Sequence, residues 1–105
     1  LDSDADMAKW LVDDLNANKQ TWLIAVFHHP PYTKGSHNSD NNSDSGGRLK
    51  AVREEILPIL EHFDTDLVLT GHSHVYERSH FMTCHYGKSD TIKDSMILDT
   101  DRFFE

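Results

Sequence analysis

Leu67-Val68-Leu69-Thr70-Gly71-His72-Ser73-His74 is a short apolar run that ends in a glycine and in two histidines separated by one residue, and the fold can be inferred from it. A second apolar run, Trp22 to Phe27, ends in the same way with His28-His29-Pro30-Pro31. Short, continuous apolar runs of this kind are typical of strands buried on both faces. Neutral imidazole is a common ligand of zinc and similar ions, and ligands bind at the carboxyl ends of strands in open α/β sheets. The two histidine-terminated strands therefore predict a metal site, and Gly71 fits a point where the backbone turns sharply or passes close to an ion.

The first half of the chain predicts a helix, a strand and a long loop. Apolar residues at helical spacing, behind a polar start, predict a helix over about residues 4 to 17. The strand of residues 22 to 27 comes next. From Thr33 to Gly47 almost every residue is small or polar, which predicts a loop of a length that is usually functional or disordered. We expect this loop to lie over the mouth of the metal site.

The second half predicts a helix and a strand parallel to the first. The apolar periodicity from Leu49 to Phe63 indicates an amphipathic helix, which Pro58 should kink or restart near Leu57. Residues 66 to 70 form the second predicted strand, joined to the first by a right-handed crossover. Further short strands are expected at residues 81 to 86 and 95 to 98.

Size, charge and cysteine content limit the function classes. The chain has 105 residues, enough for one compact core, and carries a net charge of -8. This acidity argues against nucleic-acid binding, and an anionic substrate would need a local cation such as a metal ion. No apolar run is long enough to span a bilayer. Cys84 is the only cysteine and is expected to be a small buried residue. The start at Leu1 suggests a processed or excised piece.

The two histidine blocks resemble a known family. His28-His29-Pro30-Pro31-Tyr32, followed by Gly71-His72-Ser73-His74-Val75-Tyr76-Glu77-Arg78, is similar to the last two sequence blocks of the calcineurin-like metallophosphoesterases, and its Tyr-Glu-Arg end resembles the purple acid phosphatase branch. The resemblance implies an α/β fold in which residues 1–105 are the C-terminal half of a double-sheet sandwich flanked by helices. It also implies hydrolysis of a phosphate monoester or diester by a hydroxide that bridges two metal ions, in combinations of Fe, Zn or Mn.

The same resemblance assigns roles to individual histidines. It implies that His28 and His72 bind the second metal and that His74 binds the first. His37 matches a histidine that faces substrate and can donate a proton, although it could instead be an ordinary polar loop residue. His29 would contact the substrate edge, or replace His28 as the ligand if the strand register slips by one residue.

Parts of the family pattern are absent from the sequence. Neither a Gly-Asp-x-x-Asp or Gly-Asp-x-x-Tyr block nor a Gly-Asn-His-Glu or Gly-Asn-His-Asp block occurs in the 105 residues. We therefore expect an N-terminal half of the catalytic domain as the natural partner and an inactive isolated fragment. The alternative is a non-catalytic metal-binding or interaction module derived from a metallophosphoesterase. The resemblance favours a secreted or periplasmic location.

Overall fold

A computed structural model describes residues 4 to 98 of the chain, and its side chains from residue 6 onward. The helices and strands follow one another in the order α1, β1, α2, α3 and β2, at Asp4–Ala17, Ile24–Val26, Arg48–Ala51, Leu57–His62 and Leu67–Leu69. A π-helical turn at Val52–Ile56 joins α2 to α3. A short 3-10 turn lies in the polar loop, at Asp44–Gly47, and two more lie near the end of the described chain, at Ser89–Thr91 and Asp94–Met96.

The two strands pair in parallel, as the sequence predicts. Ile24 lies opposite Leu67 and Val26 opposite Leu69. The pairing continues beyond the strands, since the backbone N–H of Phe27 donates to the carbonyl of Leu69 at 3.1 Å. The N–H of Gly71 then donates to the carbonyl of His28 at 3.0 Å. Because the backbone ladder runs on to these residues, it fixes the relative positions of the two histidine blocks.

The expectation that both strands are buried on two faces is wrong. Ile24 is 54% exposed and Val26 is 73% exposed, while Ala25 between them is partly buried. Leu67 and Leu69 are exposed in the same alternating pattern. One face of the sheet packs on the helices, and nothing among residues 4–98 covers the other. An apolar run indicates that a strand can be buried on both faces, but it does not show which parts of the chain would cover them.

The helical segment after the loop buries the predicted apolar face. The core cluster comprises Leu15 of α1 together with Val52, Ile56 and Leu60. Partly buried side chains of the sheet, including Ala25 and Val68, pack against it. The core therefore lies between the helices and one face of the sheet.

Pro58 changes the helix where the sequence predicts a disturbance. The turn before it is π-helical, with the N–H of Leu57 donating to the carbonyl of Val52, and α3 restarts at Leu57. Proline has no N–H to donate, so widening the preceding turn accommodates the missing hydrogen bond without ending the helix.

The last described segment differs from its prediction. Instead of strands at residues 81–86 and 95–98, it has a single antiparallel bridge between Met82 and Ile97 and two 3-10 turns. Cys84 is exposed, which corrects the expectation of a buried thiol. Its backbone φ is 56°, a left-handed conformation that is uncommon outside glycine. In the part of the chain that the structure describes, no helix has the length and apolar character needed to cross a membrane.

Candidate metal centre

His28 and His72 meet at the carboxyl ends of the paired strands. Nε2 of His28 lies 3.1 Å from Nδ1 of His72, although 44 positions separate the two residues. Their rings stand edge to face, with centroids 5.0 Å apart. The parallel ladder produces this contact because it carries both blocks to one edge of the sheet. The structure thus brings together two of the three histidines expected at the metal site, His28 and His72.

His29 joins the same group. Its ring centroid lies 4.9 Å from that of His28 and 4.7 Å from that of His72. Ligand nitrogens of the three histidines all lie within 4.8 Å of one another, so the group could hold a metal ion. Both neighbours in the His28-His29 pair thus reach the site, and the alternatives that the sequence leaves open share one location.

His74 belongs to neither of the two ligand groups found in the described part of the chain. Its φ is 56°, and that of His72 is 73°. The left-handed conformation at this turn therefore falls on the two histidines and not on Gly71. A Cβ on Gly71 would lie 3.8 Å from Nδ1 of His28, which is ordinary van der Waals contact. Non-glycine residues in this region carry strain that is common at functional sites.

The polar loop places His37 over the cluster. Its ring stacks on that of His72, with centroids 3.9 Å apart and an interplanar angle of 24°. The loop is fastened to the histidine turn by a hydrogen bond between the hydroxyls of Thr33 and Ser73 at 2.7 Å and by one from Ser36 Oγ to the Ser73 carbonyl at 2.8 Å. Glu77, in the Tyr-Glu-Arg end of the second histidine block, accepts hydrogen bonds from Thr33 Oγ1 and from the backbone N–H of Lys34. These hydrogen bonds also hold the start of the loop against the second histidine block.

Asp44 is a site residue that the sequence interpretation missed. Its Oδ1 lies 2.8 Å from Nδ1 of His37, and its Oδ2 accepts the backbone N–H of Asn38 at 2.8 Å. Ser45 Oγ lies 2.8 Å from Asp44 Oδ1 and 2.6 Å from Nε2 of His72. The available signal was the Gly46-Gly47 pair, which marks a turn after Asp44, but it does not show what that turn faces.

The surroundings of Asp44, His72 and His29 favour the charge states that metal binding would require. Hydrogen bonds from the Asn38 backbone and the Ser45 hydroxyl lower the pKa of Asp44 to about 2. Burial and then the neighbouring imidazoles, His37 before His28, lower the pKa of His72. Burial followed by His72 and His28 lowers the pKa of His29. Crowded imidazoles resist joint protonation, so His29 and His72 favour the neutral ring, and Asp44 beside them favours the ionised carboxylate.

Comparison with known proteins agrees with this geometry. The family model of the calcineurin-like phosphoesterases matches residues 1–76, which include the histidines of both blocks. The chain therefore belongs to the calcineurin-like phosphoesterase family. No solved structure shows a significant match to it.

Among curated proteins, the chain is similar to purple acid phosphatases. Purple acid phosphatase 18 of Arabidopsis thaliana is 37% identical over 90 residues, which are 82% of this chain and 18% of that protein. Purple acid phosphatase 17 of the same plant is 37% identical over 60 residues, covering 57% of this chain and 15% of that protein. An uncharacterized protein of Mycobacterium tuberculosis is 33% identical over 82 residues, covering 74% of this chain and 14% of that protein. The chain thus spans less than a fifth of the length of these relatives.

Proposed function

We propose that the chain is the C-terminal portion of a metal-dependent phosphohydrolase of the acid phosphatase type, acting on phosphate monoesters or diesters. The observation that carries the proposal is the contact between Nε2 of His28 and Nδ1 of His72 at the ends of paired parallel strands. Family membership supports phosphoester chemistry, and the purple acid phosphatase relatives support the acid phosphatase type.

The donor set suits the metal ions that the family implies. His28 and His72, with His29 beside them, offer imidazole nitrogens, which are good ligands of zinc, iron and related ions. His74 would contribute to the first of two ions, and the remaining ligands of that ion would come from sequence outside this chain. Paired ions in such sites stabilise charge on phosphoryl oxygens and lower the pKa of water. We propose Fe, Zn or Mn combinations for the pair.

His37 is the residue that we propose to move a proton. Because Asp44 is ionised and can only accept, Nδ1 of His37 carries a hydrogen toward it. Nε2 is then the nitrogen left to exchange a proton with the leaving oxygen of the substrate. His29, whose ring centroid lies 4.7 Å from that of His72, would contact a phosphoryl oxygen at the edge of the site.

The exposed sheet face supports the further proposal that this chain completes a larger domain. Exposed Ile24 and Val26 form an apolar surface on the side of the sheet away from the helices. An N-terminal half that adds a second sheet and the carboxylate and asparagine ligands would cover that surface and complete the double-sheet sandwich. The family resemblance also supports a secreted or periplasmic parent protein.

Substitution in the full-length parent enzyme tests the proposed function. His28→Ala and His72→Ala should each abolish release of phosphate from a chromogenic ester, and metal analysis of the same samples should show lost metal. The matched control is His62→Ala, which alters an exposed histidine on α3 whose only ring contact in the described chain is Phe63. A parent that binds metal through His28 and His72 but hydrolyses no phosphate ester would instead establish the non-catalytic module.

A further inference from the structure

A second group of potential metal ligands lies beside the one formed by the two histidine blocks. Ligand atoms of His37, Asp44 and His72 all lie within 4.8 Å of one another. The two groups share only His72, whose ring nitrogens face in different directions: Nδ1 toward His28 at 3.1 Å and Nε2 toward the polar loop. We propose that His37, Asp44 and the Nε2 atom of His72 form an accessory site for one divalent ion of the zinc class. An ion bound there and the proton transfer proposed for His37 exclude each other, because an imidazole nitrogen that binds a metal carries no proton.

The contacts of the Ser45 hydroxyl show that the ligand atoms of Asp44 and His72 face one point. Its hydroxyl lies 2.8 Å from Oδ1 of Asp44 and 2.6 Å from Nε2 of His72, so one oxygen already contacts two of the three groups. An ion between the ligands would replace this hydroxyl or take it as a fourth donor. The backbone of Ser45 is left-handed, with φ 55°, and two glycines with positive φ follow it. This turn holds the carboxylate and the hydroxyl toward the histidines.

The chemistry of the group favours zinc, cobalt or nickel over magnesium or calcium. Two imidazoles and one carboxylate form a mixed nitrogen and oxygen set, whereas magnesium and calcium prefer oxygen ligands alone. The group also contains a carboxylate, which the set of His28, His29 and His72 does not.

Cobalt(II) titration of the 105-residue chain tests the accessory site separately from catalysis. His28→Ala disables the neighbouring group, and we expect this variant still to bind one equivalent of cobalt, seen in visible absorption. Adding Asp44→Asn should weaken that binding about 100-fold or more, since even partners outside the ligand set change metal affinity by about 10- to 100-fold. Magnesium added at the same concentration to the cobalt-bound variant should not displace the cobalt and should leave the cobalt absorption unchanged.

The matched control is His28→Ala with Asp40→Asn. Asp40 is another carboxylate of the same loop and is also hydrogen-bonded, to Ser89, but it lies outside both ligand groups. This control should bind cobalt as His28→Ala does. His37→Gln in the His28→Ala background gives a second test that leaves the contacts of Asp44 with Asn38 and Ser45 intact, and circular dichroism verifies that each variant is folded. Failure of His28→Ala to bind one equivalent, or equal affinity with and without Asp44, would overturn the proposal.

Discussion

His37 is the single residue whose role depends most on its neighbours, because Asp44 fixes one ring nitrogen and His72 stacks against its face. If it donates a proton to the leaving group, His37→Ala in the full-length parent should lower kcat by about 10²- to 10⁴-fold. Steady-state kinetics with a phosphate ester would measure the effect. His62→Ala should leave kcat unchanged, and an unaltered pH-rate profile in His37→Ala would reduce His37 to an ordinary loop residue.

Tyr32 provides a pH-dependent prediction away from the metal ligands. Burial, helped by Glu61 and opposed by Arg53, raises its pKa from 10.0 to about 12, and its hydroxyl donates to the His85 carbonyl. The folded protein therefore favours the neutral phenol. This contribution to stability is fully present below pH 10 and is lost as the pH rises through about 12.

Ultraviolet titration measures this directly. The difference in tyrosinate absorbance between the wild type and Tyr32→Phe should stay flat through pH 10 and rise only toward pH 12. A midpoint near 10 would show that Tyr32 is exposed to water in solution.

At the scale of elements, Arg53 connects three parts of the chain. It lies in the π-helical turn, is 1% exposed, and donates from Nη1 to the Ser39 carbonyl at 2.6 Å and from Nε to the Tyr86 carbonyl at 3.2 Å. The helix thereby holds both the polar loop and the C-terminal segment. Arg53→Met keeps much of the volume but leaves the two carbonyls without this partner, so it should lower the free energy of unfolding by about 1.5–3 kcal/mol.

Urea denaturation would measure the loss, with Arg48→Met as the control. Arg48 is an exposed arginine of the same helical segment, and its replacement should change stability by no more than about 0.5 kcal/mol. Equal effects of the two substitutions would mean that the buried hydrogen bonds of Arg53 do not stabilise the folded chain.

The sequence predicted those elements whose signals are local. Helix α1, the parallel strands and the disturbance at Pro58 follow from periodicity, crossover rules and a missing N–H, and all three are present. Residues 81–86 carry β-forming side chains without a long partner to pair with, so only the bridge at Met82 forms. Burial of both sheet faces could not be predicted correctly, since it depends on layers that the described residues do not supply.

The candidate site, like the fold, could be predicted only in part from the sequence. The meeting of His28 and His72 follows from parallel pairing, because the ladder itself carries both residues to one edge. Asp44 could not be found, since its position beside His37 results from a left-handed turn at Ser45 within a long loop. Backbone conformations of that kind depend on tertiary contacts that no residue pattern expresses.

At the scale of the whole molecule, we expect the 105-residue chain alone to bind zinc or nickel loosely and to hydrolyse phosphate esters negligibly. It spans 14% to 18% of the relatives described above, and neither ligand group includes more than one carboxylate to offset the repulsion between two cations. A sensitive phosphate-release assay with added metal measures this. Robust turnover that His72→Ala abolishes would show a complete site within this chain and contradict its assignment as a catalytic half.

The uncovered sheet face also determines how the isolated chain behaves in concentrated solution. Ile24, Val26 and Leu69 present apolar side chains beside outer strand edges that no other strand among residues 4–98 pairs with, which favours edge-to-edge association. A net charge of -8 repels a second copy, but salt screens that repulsion over shorter distances as its concentration rises. Light scattering should therefore show monomers in dilute buffer and oligomers in high salt. Val26→Lys should keep the chain monomeric in dilute buffer and in high salt, because it places a charge on the exposed sheet face. The salt-dependent association of the wild type would then be due to that exposed apolar face.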